Sequence, residues 1–311
     1  MIRATMIWLS PVVQKIGRRS CRVICFFVMT LHLNLVFLIL LAAVVHATWN
    51  AVVKASGDRF LTFTVIHFTG TALGIVVVPF VGFPDPGVWP YLILSMVIHN
   101  IYYVFLLLCY RHGDLGEVYP IARGSSPVLV AVLAFYLAGE TPSQNAMIGI
   151  GLVSAGIISL MFTSGRPTRA GLLPIALAMT TGVLISGYTV VDGLGLRAGA
   201  SPWPYIVWLN MLEGIPFALW AVFRRSAELG PFLRTRWKPG VIGGCLTITA
   251  YGLVLYALNQ GAMAHVSALR ETSVLFAAII GTFVLKESFG LRRMLSSALI
   301  VGGVILLQVS Q

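Results

Sequence analysis

From residue 29 onward the chain alternates between long apolar runs and short breaks that are polar or rich in proline and glycine. About ten runs can be counted, at approximately 34–53, 62–82, 88–110, 115–138, 144–163, 171–191, 203–223, 239–260, 265–285 and 291–309. Each is roughly 20 residues long, the length an α-helix needs to cross the hydrocarbon of a bilayer. The apolarity is continuous and lacks a period of two, which argues against an outer-membrane barrel. The breaks include Phe83-Pro84-Asp85-Pro86-Gly87, Ser201-Pro202-Trp203-Pro204 and Trp237-Lys238-Pro239-Gly240. Trp89, Trp203 and Trp237 fall at run ends, where indole rings favour the membrane interface. The pattern predicts an all-α polytopic membrane protein with about ten transmembrane helices.

The second half of the chain repeats the first. A shift of 147 residues lays Arg123 on Arg270, Ser126 on Ser273, Ala131 on Ala278, Glu140 on Glu287 and Gly156 on Gly303. Each copy is an apolar run with Arg near its start and Glu at its end, followed by a glycine-rich apolar run. A repeat period near half the chain length means two homologous halves. We divide them as 29–163 and 164–311. Five runs per half is an odd number, so the second half enters the membrane from the opposite side. The expected architecture is two inverted five-helix repeats, the construction that gives many secondary transporters two access states.

Composition agrees with lipid as the solvent. Hydrophobic residues make up 58% of the 311 and charged residues only 10%, whereas soluble domains carry about 25% charge. The formal net charge of +11 does not predict a nucleic-acid partner, because the basic residues sit between apolar runs and not in a stripe with aromatics. Lys54 and Arg59, Arg111, Arg166 and Arg169, Arg224 to Lys238, and Lys286 to Arg293 follow odd-numbered runs, while little beyond Arg197 follows even ones. The positive-inside rule then places the odd connections in the cytoplasm and both termini outside. Residues 1–28 stand apart: five basic residues, no acid, and broken apolar pieces around Pro11. They read as an upstream extension from a mis-assigned start, with Met29 opening the ordinary beginning. Cys21, Cys25, Cys109 and Cys245 form no CxxC pair and read as packing thiols. No metal site or cofactor is expected. There is no Gly-rich phosphate loop ending in Gly-Lys-Ser/Thr, so active transport would have to run on a gradient.

Polar and ionisable residues inside spans are costly and are candidates for function. In the first run His46, Asn50 and Lys54 recur every four residues on one face, beside Trp49. They are either a lining or a packing face, with Lys54 reaching the interface. Arg123 and Arg270 lie about a turn inside their runs, and each alone reads as a snorkelling residue. Their equivalence in the repeat gives them a second reading, in which they approach a cavity from opposite faces, one near each gate. There they would bind an anionic group or close on a carboxylate, with Glu117 and Glu271 near in sequence. Pro120 permits a kink at Tyr119. Asp192, close to a run end, reads as interfacial. Glu213 lies mid-run with Asn210 on the same face, too deep to snorkel. It is either a hydrogen-bonded structural acid or the group that exchanges a proton during transport. Tyr251 in the eighth run completes the candidate lining. Gly70, Gly74, Gly149, Gly151, Gly156, Gly302 and Gly303 suit close helix contacts, within the chain or with a second protomer in a homodimer.

Four stretches carry a family likeness: His46-Ala-Thr-Trp-Asn-Ala-Val-Val-Lys54, Tyr119-Pro-Ile-Ala-Arg-Gly-Ser-Ser-Pro127, Tyr188-Thr-Val-Val-Asp-Gly-Leu-Gly195, and Leu269-Arg-Glu-Thr-Ser-Val274 with Glu287. The chain resembles the drug/metabolite transporter superfamily, specifically its EamA-type ten-helix members, over about residues 30–309. The resemblance implies a basket of helices around a central cavity lined by the fourth and ninth helices. It also implies export or exchange of small metabolites by alternating access. The resulting expectation is a multi-pass transporter of the bacterial inner membrane, an exporter of small metabolites such as amino acids or related anionic or amphiphilic compounds, coupled to protons through Glu213. A lipid-linked flippase is the alternative. An intramembrane enzyme is disfavoured, because no span pairs two aspartates and Ser125-Ser126 has no motif relation to His99 or His265.

Overall fold

In hydrocarbon there is no water to satisfy a peptide group, so an apolar run must close its hydrogen bonds within itself as a helix. The protein was analysed as a computed structural model, which describes residues 18–54, 56, 58–112, 115–161, 172–277, 279 and 291–309. The described helices are α1 Arg18–Lys54, α2 Arg59–Val81, α3 Trp89–His112, α4 Leu115–Ala138, α5 Gln144–Ser159, α6 Leu172–Ala198, α7 Pro202–Arg224, α8 Ser226–Thr235, α9 Trp237–Gln260, α10 Met263–Arg270 and α11 Leu291–Val309. Seven of them are long and apolar enough to span a membrane, and α5 and α11 are shorter apolar helices. With the segment that begins at α10, these make the ten elements of a two-repeat membrane protein. Residues 1–17 of the N-terminal extension and the side chains of Lys54, Glu117 and Glu287 lie outside the described residues.

Local chemistry sets several helix starts. The Asp58 carboxylate accepts the Leu61 N–H at 3.0 Å at the start of α2, and Ser143 accepts the Ala146 N–H at 3.2 Å at the start of α5. Asp58 also pairs with Arg225 at 2.9 Å, tying α2 to the α7–α8 junction. The basic stretch 224–238, expected to be a connection only, contains the short helix α8, whose Phe232 packs on Leu61, Val65 and Ala221. At the opposite end Glu140 accepts the Met263 N–H at 3.2 and 3.0 Å and pairs with Arg197 at 2.8 Å. A first-half carboxylate thus caps a second-half helix, where the N-terminal dipole favours negative charge.

The contacts follow a two-fold pattern. Matching helices by order pairs α1 with α6, α2 with α7, α3 with α9, α4 with α10 and α5 with α11. The extensive α3–α6 contact then has its counterpart in α1–α9, α4–α6 in α1–α10, and α3–α7 in α2–α9. The α2–α7 and α5–α11 contacts map onto themselves, as pairs straddling the axis must. Glycines allow both. A Cβ on Gly70 would lie 2.9 Å from the Asn210 carbonyl oxygen, and one on Gly214 2.3 Å from that of His67. Across α5–α11, Cβ atoms on Gly149 and Gly303 would each meet the other's carbonyl oxygen, at 2.9 and 2.7 Å. Gly70, Gly74, Gly149, Gly156 and Gly303 therefore face helices of the same chain, whereas Gly151 and Gly302 face open space.

The ninth apolar run is not one helix. After Arg270 the chain makes a turn at Glu271 and Thr272 and resumes as helix over 273–277. The Thr272 hydroxyl donates to the Leu269 carbonyl at 2.7 Å, and the Thr272 N–H also bonds Leu269, at 3.1 Å. The side chain and a three-residue backbone bond take the acceptor and tighten the turn. The equivalent part of α4, despite Pro120 and Pro127, stays helical.

Gly303 and Gly302 are neighbours with opposite surroundings, which gives an internal control. Gly303→Ala is expected to destabilise by about 1–3 kcal/mol through overpacking. Gly302→Ala should stay within about 0.5 kcal/mol of the parent. Unfolding midpoints in detergent would separate the two, and equal effects would contradict the packing described.

Candidate functional site

Two buried polar clusters occupy the centre. The first lies where α1, α4 and the α10 break meet. Arg123 from α4 places Nε 2.7 Å from Glu271 Oε2, and Arg270 places Nη2 3.2 Å from Glu271 Oε1. Their side chains are 3%, 3% and 0% exposed respectively. Arg123 also donates to Ser273 Oγ at 3.2 Å, so the two repeat copies of this motif interlock. Tyr119 lies beneath the Arg123 guanidinium at 5.8 Å, and Tyr188 beneath Arg270 at 6.0 Å. The expectation of one arginine near each gate is therefore corrected: both converge on a single carboxylate. The α10 break makes this geometry, because it brings Glu271 between the two guanidiniums.

Counting charges and donors leaves the cluster unbalanced. Two guanidiniums pair directly with one carboxylate, Glu271, while Asp192 faces Arg270 without an ion pair, in a place where water cannot complete the donors. His46 adds to this. The Trp49 indole donates to His46 Nδ1 at 3.2 Å, while Arg123 Nη2 stands 3.3 Å from His46 Nε2. A neutral imidazole accepts at one nitrogen only, so both donors cannot be satisfied at once. Asn50, by contrast, donates back to the His46 carbonyl of its own helix at 2.8 Å.

The second cluster is built from α2, α3, α6, α7 and α9. Glu213 lies at mid-helix in α7 with Tyr103 Oη 3.4 Å from Oε2 and His99 Nδ1 3.3 Å from Oε1. His99 Nδ1 also lies 3.0 Å from the Ser95 carbonyl, which can only accept, so the proton sits on Nδ1. A pocket of about 20 Å³, roughly the space of one water, is lined by His67, Tyr103, Asn210, Glu213, Thr247 and Tyr251. Asp192 is fully buried, receiving the Tyr205 hydroxyl at 2.7 Å and a short bond from Tyr251. Its reading as an interfacial residue is corrected: α6 continues to Ala198, so the apolar run ended before the helix did. Tyr188 joins the clusters, stacking on His99 at 3.8 Å while lying under Arg270.

Of the residues singled out from sequence, His46, Trp49, Tyr119, Arg123, Arg270 and Glu271 gather in the first cluster, and Asn210, Glu213 and Tyr251 in the second. Sequence reasoning missed Ser95, His67, Tyr103 and Tyr205, and it dismissed His99. The run of His99, Asn100, Tyr102 and Tyr103 inside an apolar span was the available signal. Among the described residues no group of three or more His, Cys, Asp or Glu side chains is placed to hold a metal ion.

The profile of the EamA-like transporter family matches residues 33–162 and, a second time, 172–309. The chain belongs to the EamA-like transporter family. It is accordingly a multi-pass membrane protein of the drug/metabolite transporter superfamily, whose members move small molecules across a bilayer. A solved crystal structure of another protein shares the fold with a TM-score of 0.72 at 17% identity, covering 89% of this chain and 96% of that one. No curated protein matches significantly.

In this EamA-type protein Glu271 is the only carboxylate paired with either Arg123 or Arg270 among the described residues. Glu271→Gln should therefore destabilise the fold by about 3–5 kcal/mol, the cost of stranding buried charge. Adding Arg123→Met restores the parent's net charge and should recover more than half of the loss. Denaturant unfolding in detergent would check this, and an additive double variant would count against the shared pairing.

Proposed function

We propose that the protein is a secondary active transporter of the bacterial inner membrane that exports small carboxylate-bearing metabolites, such as amino acids and related anions, by alternating access. The supporting observation is the unbalanced first cluster. Two buried guanidiniums share one directly paired carboxylate, and a substrate anion would take the guanidinium donors that Glu271 leaves unpaired. Arg offers a planar fork of donors suited to a carboxylate. In this reading Arg123 and Arg270 bind the substrate anion and Glu271 holds them in its absence. His46, Trp49 and Tyr119 line the same space from α1 and α4, and Asn50 adds a polar group on α1.

The break in α10 supports the same reading. Discontinuous helices at the bilayer midplane are where secondary transporters form substrate sites, with alternating access as one repeat rocks against the other. Glu213, beside Asn210 and Tyr251 and joined to the arginines through Tyr188 and His99, is the proton-linked carboxyl. Substrate arrival at Arg270 would be felt at Glu213 through this packed path.

Thermal stabilisation of the purified protein against amino acids, phosphonates and purines tests the reading. A ligand that binds only the native state raises its stability by about 2.7 kcal/mol at a hundred times its Kd. We expect carboxylate-bearing compounds to raise the melting temperature, and Arg123→Ala or Arg270→Ala to abolish the shift. A ligand whose effect survives both substitutions would remove the arginines from the site. A response confined to co-purified lipid would favour a lipid-linked substrate instead.

A further inference from the structure

Two carboxyl groups are buried in the second cluster, and proton coupling through Glu213 uses only one. Asp192 is 0% and Glu213 4% exposed. They come from different helices, α6 and α7, and both face α3, where Ser95 lies beside Asp192 and Tyr103 donates to Glu213 at 3.4 Å. Asp192 is in electrostatic contact with Glu213. Ser95 Oγ lies 3.1 Å from His99 Nδ1, which lies 3.3 Å from Glu213 Oε1. Tyr251 links the two carboxyls, bonding Asp192 and lining the water-sized pocket beside Glu213.

We propose that Asp192 and Glu213 form one proton-binding pair, holding a single proton between them, with Tyr251 as the positioning residue that joins them. The inference rests on the reading of Glu213 as the proton-linked carboxyl and adds Asp192 as its second member. Two carboxyls in electrostatic contact in a low-dielectric interior do not both ionise readily, so their protons come and go as properties of the pair. The donors are unequally shared. Asp192 has the hydroxyls of Tyr205 and Tyr251, a pair that suits a carboxylate. Glu213 has one hydroxyl, that of Tyr103, at 3.4 Å.

Histidines, tyrosines and one arginine surround the pair. Facing Glu213 are His67 from α2, His99 and Tyr103 from α3, and the pocket wall from α9. Facing Asp192 are Ser95 from α3, Tyr188 from α6, Tyr205 from α7, Tyr251 from α9 and Arg270 from α10. Arg270 links the pair to the first cluster. A change of charge there, as on binding an anion, would alter where the shared proton rests.

Infrared titration of the full-length protein reconstituted in lipid tests this without a substrate, the proton being the probe. The carbonyl stretch of protonated carboxyls is followed against pH, and the Glu213 band is identified by its loss in Glu213→Gln. If the pair shares a proton, Asp192→Asn moves the midpoint of the Glu213 band by about one pH unit or more. Tyr205→Phe, which removes a donor from Asp192 and leaves both carboxyls in place, also moves it and guards against misfolding of the first variant. A Glu213 band that titrates but is unmoved by either change overturns the pair and leaves Glu213 acting alone. A Glu213 group that does not titrate overturns both readings.

Discussion

The centre of this protein depends on one carboxylate. Glu271 stands between Arg123 and Arg270, two guanidiniums that come from equivalent positions of the two repeats and meet at the axis between them. A buried charge without a partner costs several kcal/mol, so the halves cannot close on each other in this arrangement unless Glu271 is in place. The chain reaches that position by breaking its ninth apolar run at Glu271 and Thr272, where the Thr272 side chain and backbone both take the Leu269 carbonyl. Local backbone chemistry, the pairing of the halves and the chemistry of the site therefore meet in a few residues.

Around that centre, packing is set by small residues. The α2–α7 and α5–α11 contacts straddle the axis, and both bring backbones close enough that glycine is required at the contact. Lipid removes the hydrophobic incentive for helices to associate, so close van der Waals packing holds them. Close glycine-mediated helix pairs thus stand beside a polar, imperfectly satisfied interior.

Much of this was legible in the sequence, because membrane insertion and gene duplication leave long-range marks. The ten runs, the 147-residue shift and the pairing of Arg123 with Arg270 needed no structure. The α10 break was not legible: neither Pro nor Gly marks it, and a carboxylate beside an arginine reads as an ordinary helical pair. Asp192 was misplaced because distance from the end of an apolar run is a poor guide to depth when the helix continues beyond the run. His99 was weighed only as a partner for Ser125-Ser126, and Tyr103 was not singled out, because neither belongs to a motif that the sequence displays. The amphipathic α8 was hidden by Gly230, Pro231 and a dense set of basic residues.

If Glu271 is an internal stand-in for the substrate's anionic group, it competes with small anions for the two arginines. The most direct measurement is the binding of acetate, benzoate and methylphosphonate, followed by thermal stabilisation, in the parent and in Glu271→Gln. The expected result is tighter anion binding in Glu271→Gln by tenfold or more, together with recovery of its lost stability as the anion fills the space between Arg123 and Arg270. Anion binding that is unchanged or weakened by the substitution would contradict the exchange of one carboxylate for another at the repeat axis.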